Sequence, residues 1–394
     1  MSIDQAVSGC SGMAPTLTRG PGTNVSGVVA GDSAAGRVRV LVLFGGRSSE
    51  HAISCLSAAG VLRSLDRGRY DVAAVGILPD GRWMRVDADP GAIAAAAPGQ
   101  LPEVADTGES AVLLPEPVGG VNAPDAIRGV DVVFPVLHGP WGEDGTVQGL
   151  LEMAGIPYVG SGVFASAAAM DKGHMKALLA AAGLPVGPSA VVTAAQWDRD
   201  AASVRARVDS LGYPVFVKPA RAGSSVGITK VSDPAGLDAA IAEARSWDPR
   251  LIIEAGIPDA REIECAVIVD ETGAPRATRC AEIIVSGAHE FYDFEAKYLD
   301  DAAELVVPAD LPADVEEEVR RLAVAAFEAL DCEGLARVDF FVRPDGVLVN
   351  EVNTMPGFTP ISLFPRMCAA SGIDYATVLD LLIADALRRG TGLR

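Results

Sequence analysis

Basic residues are scarce in this 394-residue chain: 32 Lys+Arg stand against 52 Asp+Glu, a formal net charge of −20 and a sequence pI of about 4.6. A field of that sign repels polyanions, so binding to nucleic acid by phosphate neutralisation is excluded. Any phosphate ligand has to be gripped locally, by a few placed lysines and backbone amides. Histidine occurs only four times, and the six cysteines (Cys10, Cys55, Cys265, Cys280, Cys332, Cys368) form no C-x-x-C pair. A zinc set therefore has little to draw on, and the cysteines read as single buried thiols in a reducing compartment. No run approaches the ~20 apolar residues of a spanning helix. The N-terminus lacks the basic start and apolar core of a signal peptide. The expectation is a cytoplasmic protein with no membrane partner. A G-x-x-x-x-G-K-[ST] loop is also missing, which excludes an ordinary Walker-type NTPase.

What is present describes a globular enzyme-sized chain. Hydrophobic residues make up 49% and charged residues 21%, which rules out disorder as the main state. At roughly 150 residues per domain the length suggests two or three domains. Residues 1–36, rich in Gly, Ser, Ala and Thr without apolar periodicity, read as a flexible extension. Order begins at Val38, where VRVLVLF has the β-branched content of a buried parallel strand. A helix capped by Ser48 or Ser49 should run to about Leu65. Further strands are expected at 71–78 and 131–137, making 38–160 a parallel α/β unit. Residues 86–127 read as a surface excursion. A small α+β unit follows to about 250, with a helix over 171–182. After 250 the segments LIIEAG, REIECAVIVD and ATRCAEIIV alternate as antiparallel strands.

The densest chemistry lies in GLARVDFFVRPDGVLVNEVNTMPGFTP (334–360). Pro344-Asp345-Gly346 reads as a three-residue turn pairing Arg343 with Val347. Counting back by twos sets Asp339 opposite Glu351 and Arg337 opposite Asn353, all on one face. Two carboxylates and an amide oxygen are hard ligands that suit magnesium, which completes its shell with substrate phosphates. The plainer alternative, a solvated hairpin face, is disfavoured by the apolar opposite side of Val338, Phe340, Val342 and Val352. Arg337 beside such a site would be free to stabilise an oxyanion or phosphoryl charge.

Other loops could hold anions. YPVFVKPARAGSSVGI supplies Lys218 on a strand and then a Gly223-Ser224-Ser225 turn whose small residues let backbone N–H groups approach phosphate. Gly160-Ser161-Gly162 fits a dinucleotide pattern, but no acid follows in 178–192 to hold a ribose, so a tight strand-to-helix turn is the better reading. The clusters Gly45–His51 and His138–Gly145 both sit at strand ends of one sheet, which makes a cleft there more credible than either alone.

At this point the sequence resembles the D-alanine-D-alanine ligases of the ATP-grasp superfamily. The resemblance rests on G-G-x-S-x-E-H-x-x-S at 45–54, L-H-G-x-x-G-E-D-G at 137–145, G-S-G-V-x-A-S-A-x-x-M-D-K at 160–172 and K-P-x-x-x-G-S-S-V-G at 218–227. It extends to F-Y-D-F-E-A-K-Y at 291–298, and to R-V-D-F with N-E-V-N-T-x-P-G-F-T at 337–359. It implies an α/β, ATP-grasp fold with an N-terminal parallel α/β (Rossmann-like) domain at 37–160, a central α+β domain at 161–250 and a C-terminal antiparallel-sheet domain at 251–394. ATP would lie between the last two. It implies ligation of two D-alanines through a D-alanyl phosphate, for peptidoglycan precursors, by a homodimer using two magnesium ions, for which manganese could substitute.

Carried over by motif, Lys172, Lys218 and Ser225 would contact ATP phosphates, Glu254 with the backbone near Ala255 and Ile257 the adenine, and Glu262 the ribose. Asp339, Glu351 and Asn353 match metal ligands. Glu50 would hold the ammonium of the first D-alanine, with His138 lining that subsite and Ser224 and Tyr298 as hydrogen-bonded partners. Arg337 and the backbone at Gly357 would hold the oxyanion, and Lys297 and Ser362 the second carboxylate and phosphate. Tyr298 favours D-alanine as acceptor, with D-lactate or D-serine the nearest alternatives. A catalytically silent ATP-grasp protein, or an ATP-grasp enzyme for another carboxylate, would be expected to lack one of these motifs.

Overall fold

The computed structural model describes residues 36–97, 100–113, 126–127, 129–224, 226–285 and 303–392. All of the expected 1–36 extension but Gly36 lies outside them, as do the expected site residues Ser225, Lys297 and Tyr298. The first sheet is built on β1 (Val38–Gly45), whose apolar residues Val40 to Phe44 are no more than 1% exposed. Such a strand needs cover on both faces. Its parallel partner β2 (Tyr70–Ile77) follows the helix His51–Ser64. β3 (Trp83–Val86) returns antiparallel to β2, a departure from the all-parallel expectation. The Pro79-Asp80-Gly81 turn is too short for a crossover, so the chain can only fold back. Two short strands, β4 (Val112–Leu113) and β5 (Ala126–Ile127), pair with each other. β6 (Val132–Pro135) then runs parallel to β1 on its other side, for an order β3-β2-β1-β6.

Two local expectations change here. Residues 86–127 are not wholly a surface excursion, because Ile93, Val104 and Ala111 are buried. The helix after β1 is not capped by Ser48 or Ser49: Glu50 occupies the N-cap position, without a side-chain capping bond. Ser48 is drawn away, its Oγ donating to the His138 carbonyl at 2.6 Å. Buried Ser54 accepts from the Gly45 amide at 2.8 Å and donates to the Val136 carbonyl, tying the ends of β1 and β6 together. His51 donates from Nδ1 to the Gly46 carbonyl (2.7 Å) and accepts at Nε2 from the Val104 amide (3.1 Å), so this histidine braces a loop.

The second sheet comprises β7 (Ser189–Thr193), β8 (Val215–Pro219), β9 (Thr229–Val231) and β10 (Arg250–Ala255), antiparallel in the order β7-β10-β8-β9. The helix Leu237–Trp247 buries Leu237 and Ile241 against Val215, Val217, Leu251 and Ile253. β10 thus sits inside this sheet, and a cut after residue 250 would pass along a central strand. The third sheet carries β11 (Arg261–Val269), β12 (Pro275–Val285), β13 (Ala303–Val306), β14 (Leu335–Arg343) and β15 (Gly346–Asn353), all antiparallel, in the order β13-β12-β11-β14-β15. Helices Val163–Met170 and Lys172–Ala181 contribute Ala165, Met175 and Leu179 to this sheet's core, together with Leu322 and Phe327 of helix Ala313–Ala329.

The glycine-rich turn at 160–162 leads directly into helix Val163–Met170, and buried Ser161 accepts from the Glu333 amide at 3.2 Å. The five described cysteines are buried and free of disulfides. Burial pushes the Cys332 and Cys368 thiols up to about 12, so both stay protonated and inert. Among the described residues no single helix is long and apolar enough to cross a membrane.

Candidate active site

A cleft of about 590 Å³ opens between the second and third sheets and reaches the loops after β1 and β6. Its floor is the β14–β15 hairpin. Asp339 faces Glu351 and Arg337 faces Asn353, as the two-residue count requires. The tip differs: Arg343 pairs with Gly346 across a two-residue Pro344-Asp345 turn, and an irregularity between Asp339 and Phe340 restores the register. The unpaired residue there is Asn350, which leaves Asn350 and Glu351 both on the cleft side. A bulge of this kind inserts one residue into one strand of a pair.

β11 extends the row. Glu264 pairs with Asp339 on the side away from Glu351, so three carboxylates cross adjacent strands. Arg337 is not free, as the sequence reading supposed. Its Nε and Nη2 donate to Asp339 at 2.6 and 2.7 Å, and Nε lies 3.1 Å from Glu264 Oε2. Burial opposes its charge, yet Asp339 and Glu264 outweigh that cost and lift its pKa well above the ordinary value. The Asn353 amide donates to Asp339 at 3.1 Å, and Lys172 Nζ lies 3.4 Å from Glu351 while donating to the Ala222 carbonyl at 3.0 Å. The three carboxylates are partly offset by Arg337 and Lys172, but the oxygens of Asp339, Glu351 and Asn353 are hard ligands of the kind a divalent cation takes. Asp339, Glu351 and the Asn353 amide oxygen would hold it.

The second sheet supplies the opposite wall. Lys218 projects from β8 into the cleft, and Ile257 and Glu262 line it further along. Glu254 and Ala255, expected at the adenine, do not line it. Buried Glu254 is instead gripped by Lys176 Nζ at 2.8 Å and Lys218 Nζ at 2.6 Å. The Ala255 amide is spent on the Pro188 carbonyl at 3.0 Å. Burial would raise the Glu254 pKa, but Lys218 and Lys176 overcome it and hold the carboxyl far below its usual range. Burial would likewise lower Lys218, and Glu254 more than compensates. Glu254 therefore holds the Lys218 ammonium in place.

A stability test follows from that triad. Glu254→Gln should cost about 3–5 kcal/mol, because it leaves two buried ammonium groups short of their counter-charge. The sign with pH is set by the depressed carboxyl: its contribution is full above the ordinary value of 4.5 and is lost as pH falls below it. Urea unfolding at several pH values should show the gap between wild type and variant closing as the solution is acidified. A gap constant with pH would contradict the triad's charge state.

The loops of the first sheet complete the cleft. Glu50 lies at the start of helix His51–Ser64, and Ser224 Oγ donates to its carboxylate across the cleft. A Cβ at Gly139 or at Gly223 would lie 2.7 Å from Glu50 Oε2, so a side chain at either position would press on that carboxylate, and the φ of +74° at Gly139 itself favours glycine. His138 also lines the cleft, with Ser57 at 3.0 Å from Nε2 and the Met355 carbonyl at 3.1 Å from Nδ1. Gly357 and Ser362 stand at the far end. Ser362 is the N-cap residue of helix Leu363–Ala370, and its Oγ accepts from the Thr359 amide at 3.1 Å.

The structure thus brings together Glu50, His138, Lys172, Lys218, Ser224, Ile257, Glu262, Arg337, Asp339, Glu351, Asn353, Gly357 and Ser362 around one cleft. Sequence reasoning missed Glu264 and Lys176. Both left a signal: Glu262 and Glu264 alternate onto one face of a strand, and Lys172 and Lys176 share a helix face at i,i+4.

Comparison with known proteins places this geometry. The family described as D-ala D-ala ligase N-terminus matches residues 39–161, and D-ala D-ala ligase C-terminus matches residues 178–384. A D-alanine--D-alanine ligase of Mycobacterium sp. (strain KMS) is 54% identical over 371 residues, covering 91% of this chain and 98% of that protein. One from Arthrobacter sp. (strain FB24) is 55% identical over 369 residues, covering 90% and 96%. Among solved structures, the D-alanine-D-alanine ligase from Coxiella burnetii is 35% identical with a TM-score of 0.75, over 90% of this chain and 95% of that one. The VanG D-Ala:D-Ser ligase from Enterococcus faecalis is also 35% identical, with a TM-score of 0.77 over 89% and 99%. With both family halves matched in order, and with the acidic hairpin, the paired lysines and the glycine-walled carboxylate on one cleft, the chain belongs to the D-alanine-D-alanine ligase family of ATP-grasp enzymes.

Proposed function

We infer that this chain joins two D-alanines into D-alanyl-D-alanine at the expense of ATP, for peptidoglycan precursor synthesis. The observation that carries the reading is the hydrogen bond from Ser224 to Glu50. It links an ammonium-binding carboxylate on the first sheet to a small-residue loop beside Lys218 on the second, so an amino acid and a nucleotide phosphate would meet in one cleft.

The chemistry follows from the charges. Glu50 holds the ammonium of the first D-alanine, and Lys172 and Lys218 hold the phosphates of ATP. A carboxylate oxygen of the substrate attacks the γ-phosphorus, the bond to the β-phosphate oxygen breaks, and ADP leaves. The nitrogen of the second D-alanine, having lost a proton, attacks the acyl carbon. Arg337 and the Gly357 amide take the oxyanion that forms. Collapse breaks the carbon–oxygen bond and releases phosphate. Asp339, Glu351 and Asn353 would hold magnesium, which would neutralise charge on the phosphates. Ser362, at a helix N-terminus that favours negative charge, holds the second carboxylate with Lys297. The Ser224 loop, tied to Glu50 across the cleft, would help keep water from the acyl phosphate. Exposed Leu150, Met153 and Phe164, on helices Thr146–Ala154 and Val163–Met170, offer an apolar face suited to a homodimer contact.

Phosphate release with ATP, magnesium and D-alanine tests the reading. Release should depend on D-alanine and should not occur with L-alanine. D-lactate and D-serine, each added with D-alanine, should yield less mixed product than dipeptide. Absence of D-alanine-dependent release would overturn the function, and a dominant D-lactate or D-serine product would move it to that acceptor.

A further inference from the structure

His138 and Glu143 both reach one residue of the third sheet's loop from the loop after β6. The Nδ1 atom of His138 lies 3.1 Å from the Met355 carbonyl, and Glu143 Oε2 accepts from the Met355 amide at 3.4 Å. Glu143 Oε1 accepts from the Gly139 amide at 2.7 Å, which fixes its carboxylate. A carbonyl oxygen only accepts, so Nδ1 carries the proton. Nε2 is then left to accept from the Ser57 hydroxyl at 3.0 Å, and Ser57 is fully buried. Both ring nitrogens are committed to the protein. Met355 lies between Asn353, on the metal-facing strand, and Gly357, on the oxyanion side.

We infer that His138 and Glu143 are positioning residues that clamp the carbonyl and the amide of Met355, and thereby set the chain between Asn353 and Gly357. His138 does not exchange protons with the substrate. The inference rests on the reading of Gly357 as an oxyanion donor. Burial pulls the imidazole below its ordinary pKa despite Glu50 nearby, in keeping with a neutral ring. Burial, and then Glu50, push the Glu143 carboxyl up to about 8. An ammonium bound at Glu50 would relieve the second of these and favour the ionised, doubly accepting form. A displacement of about 1 Å in a group that contacts the reacting atoms can cost about 10²-fold in rate, so the clamp is a point of control over turnover.

Two substitutions separate the ring's two bonds. In His138→Asn the side-chain amide can still donate from the Nδ1 position, while the Ser57 partner is lost. In His138→Gln the Ser57 partner is kept and the Met355 bond is lost. The expected result is a kcat reduced about 10²-fold with little change in KM for ATP for Gln, and a clearly smaller loss of kcat with a lower melting temperature for Asn. Affinity for a tetrahedral phosphinate analogue should fall with kcat. Glu143→Gln, whose nitrogen cannot accept from Met355, should repeat the Gln pattern. Equal loss in both His138 variants with a flattened pH profile would make His138 a proton-transfer group and overturn the inference, as would full activity in His138→Gln. Arg337→Lys serves as the control: unchanged analogue affinity there would mean that the oxyanion reading itself fails, whereas unchanged affinity in His138→Gln alone would refute only the clamp.

Discussion

Replacing Glu351 with glutamine should lower turnover by about 10³-fold or more while leaving the protein folded. Glutamine keeps the volume and one acceptor oxygen but removes a unit of negative charge from a hairpin face where Glu351 stands opposite Asp339. Lys172, 3.4 Å away, would then face a neutral amide. With less anionic charge to hold the proposed divalent cation, a bound triphosphate would lose that neutralisation. The side chain is only partly buried, so the change leaves no core cavity, and the melting temperature should move little. Initial rates across a magnesium titration, with a thermal melt on the same sample, check both parts. Wild-type turnover at ordinary magnesium would remove Glu351 from the metal site.

The second large effect belongs to Arg337→Lys. A lysine keeps one positive charge between Glu264 and Asp339, so the folded state avoids the roughly 3–5 kcal/mol penalty of stranding buried carboxylates. What it loses is the planar fork. Arg337 donates to both oxygens of Asp339 and still lies 3.1 Å from Glu264, so its orientation is fixed from two strands. A single ammonium cannot hold those partners and also present a directed donor to a developing oxyanion. Removing one such donor costs about 10²–10³ in kcat. The KM for ATP should change little, and a phosphinate analogue should bind more weakly by a similar factor. An unaltered kcat would place the oxyanion elsewhere.

Local chemistry was legible in the sequence to the extent that it depended on strand alternation. The facing of Asp339 with Glu351 followed from a count of residues, yet it came out right through two compensating differences. The turn is one residue shorter than expected, and Asn350 makes up the difference as an unpaired residue. Nothing in the pattern VRPDGVLVNEV announces that bulge. The family motifs at 45–54 and 137–145 were visible, but why they contain so many serines and histidines was not. Ser54, Ser57 and His51 turn out to stitch strand ends and loops together, contacts that exist only once β1 and β6 lie side by side. Glu254 shows the same limit from the other direction. Its place on β10 could be guessed, but the approach of Lys176 from a helix packed against the third sheet could not, and that contact gives Glu254 a second buried ammonium partner beside Lys218. Register and facing are one-dimensional properties, while convergence of separate layers is a property of the folded chain.

Gly139 and Gly223 both approach the Glu50 carboxylate so closely that a Cβ at either would lie 2.7 Å from Oε2. A pocket bounded by side chains can be widened by trimming one of them. One bounded by glycine has no smaller residue to mutate to, so point substitution at these walls can only narrow it. On the proposed reading of Glu50 as the amine site, room for a bulkier group there would have to come from moving a loop rather than from trimming a side chain.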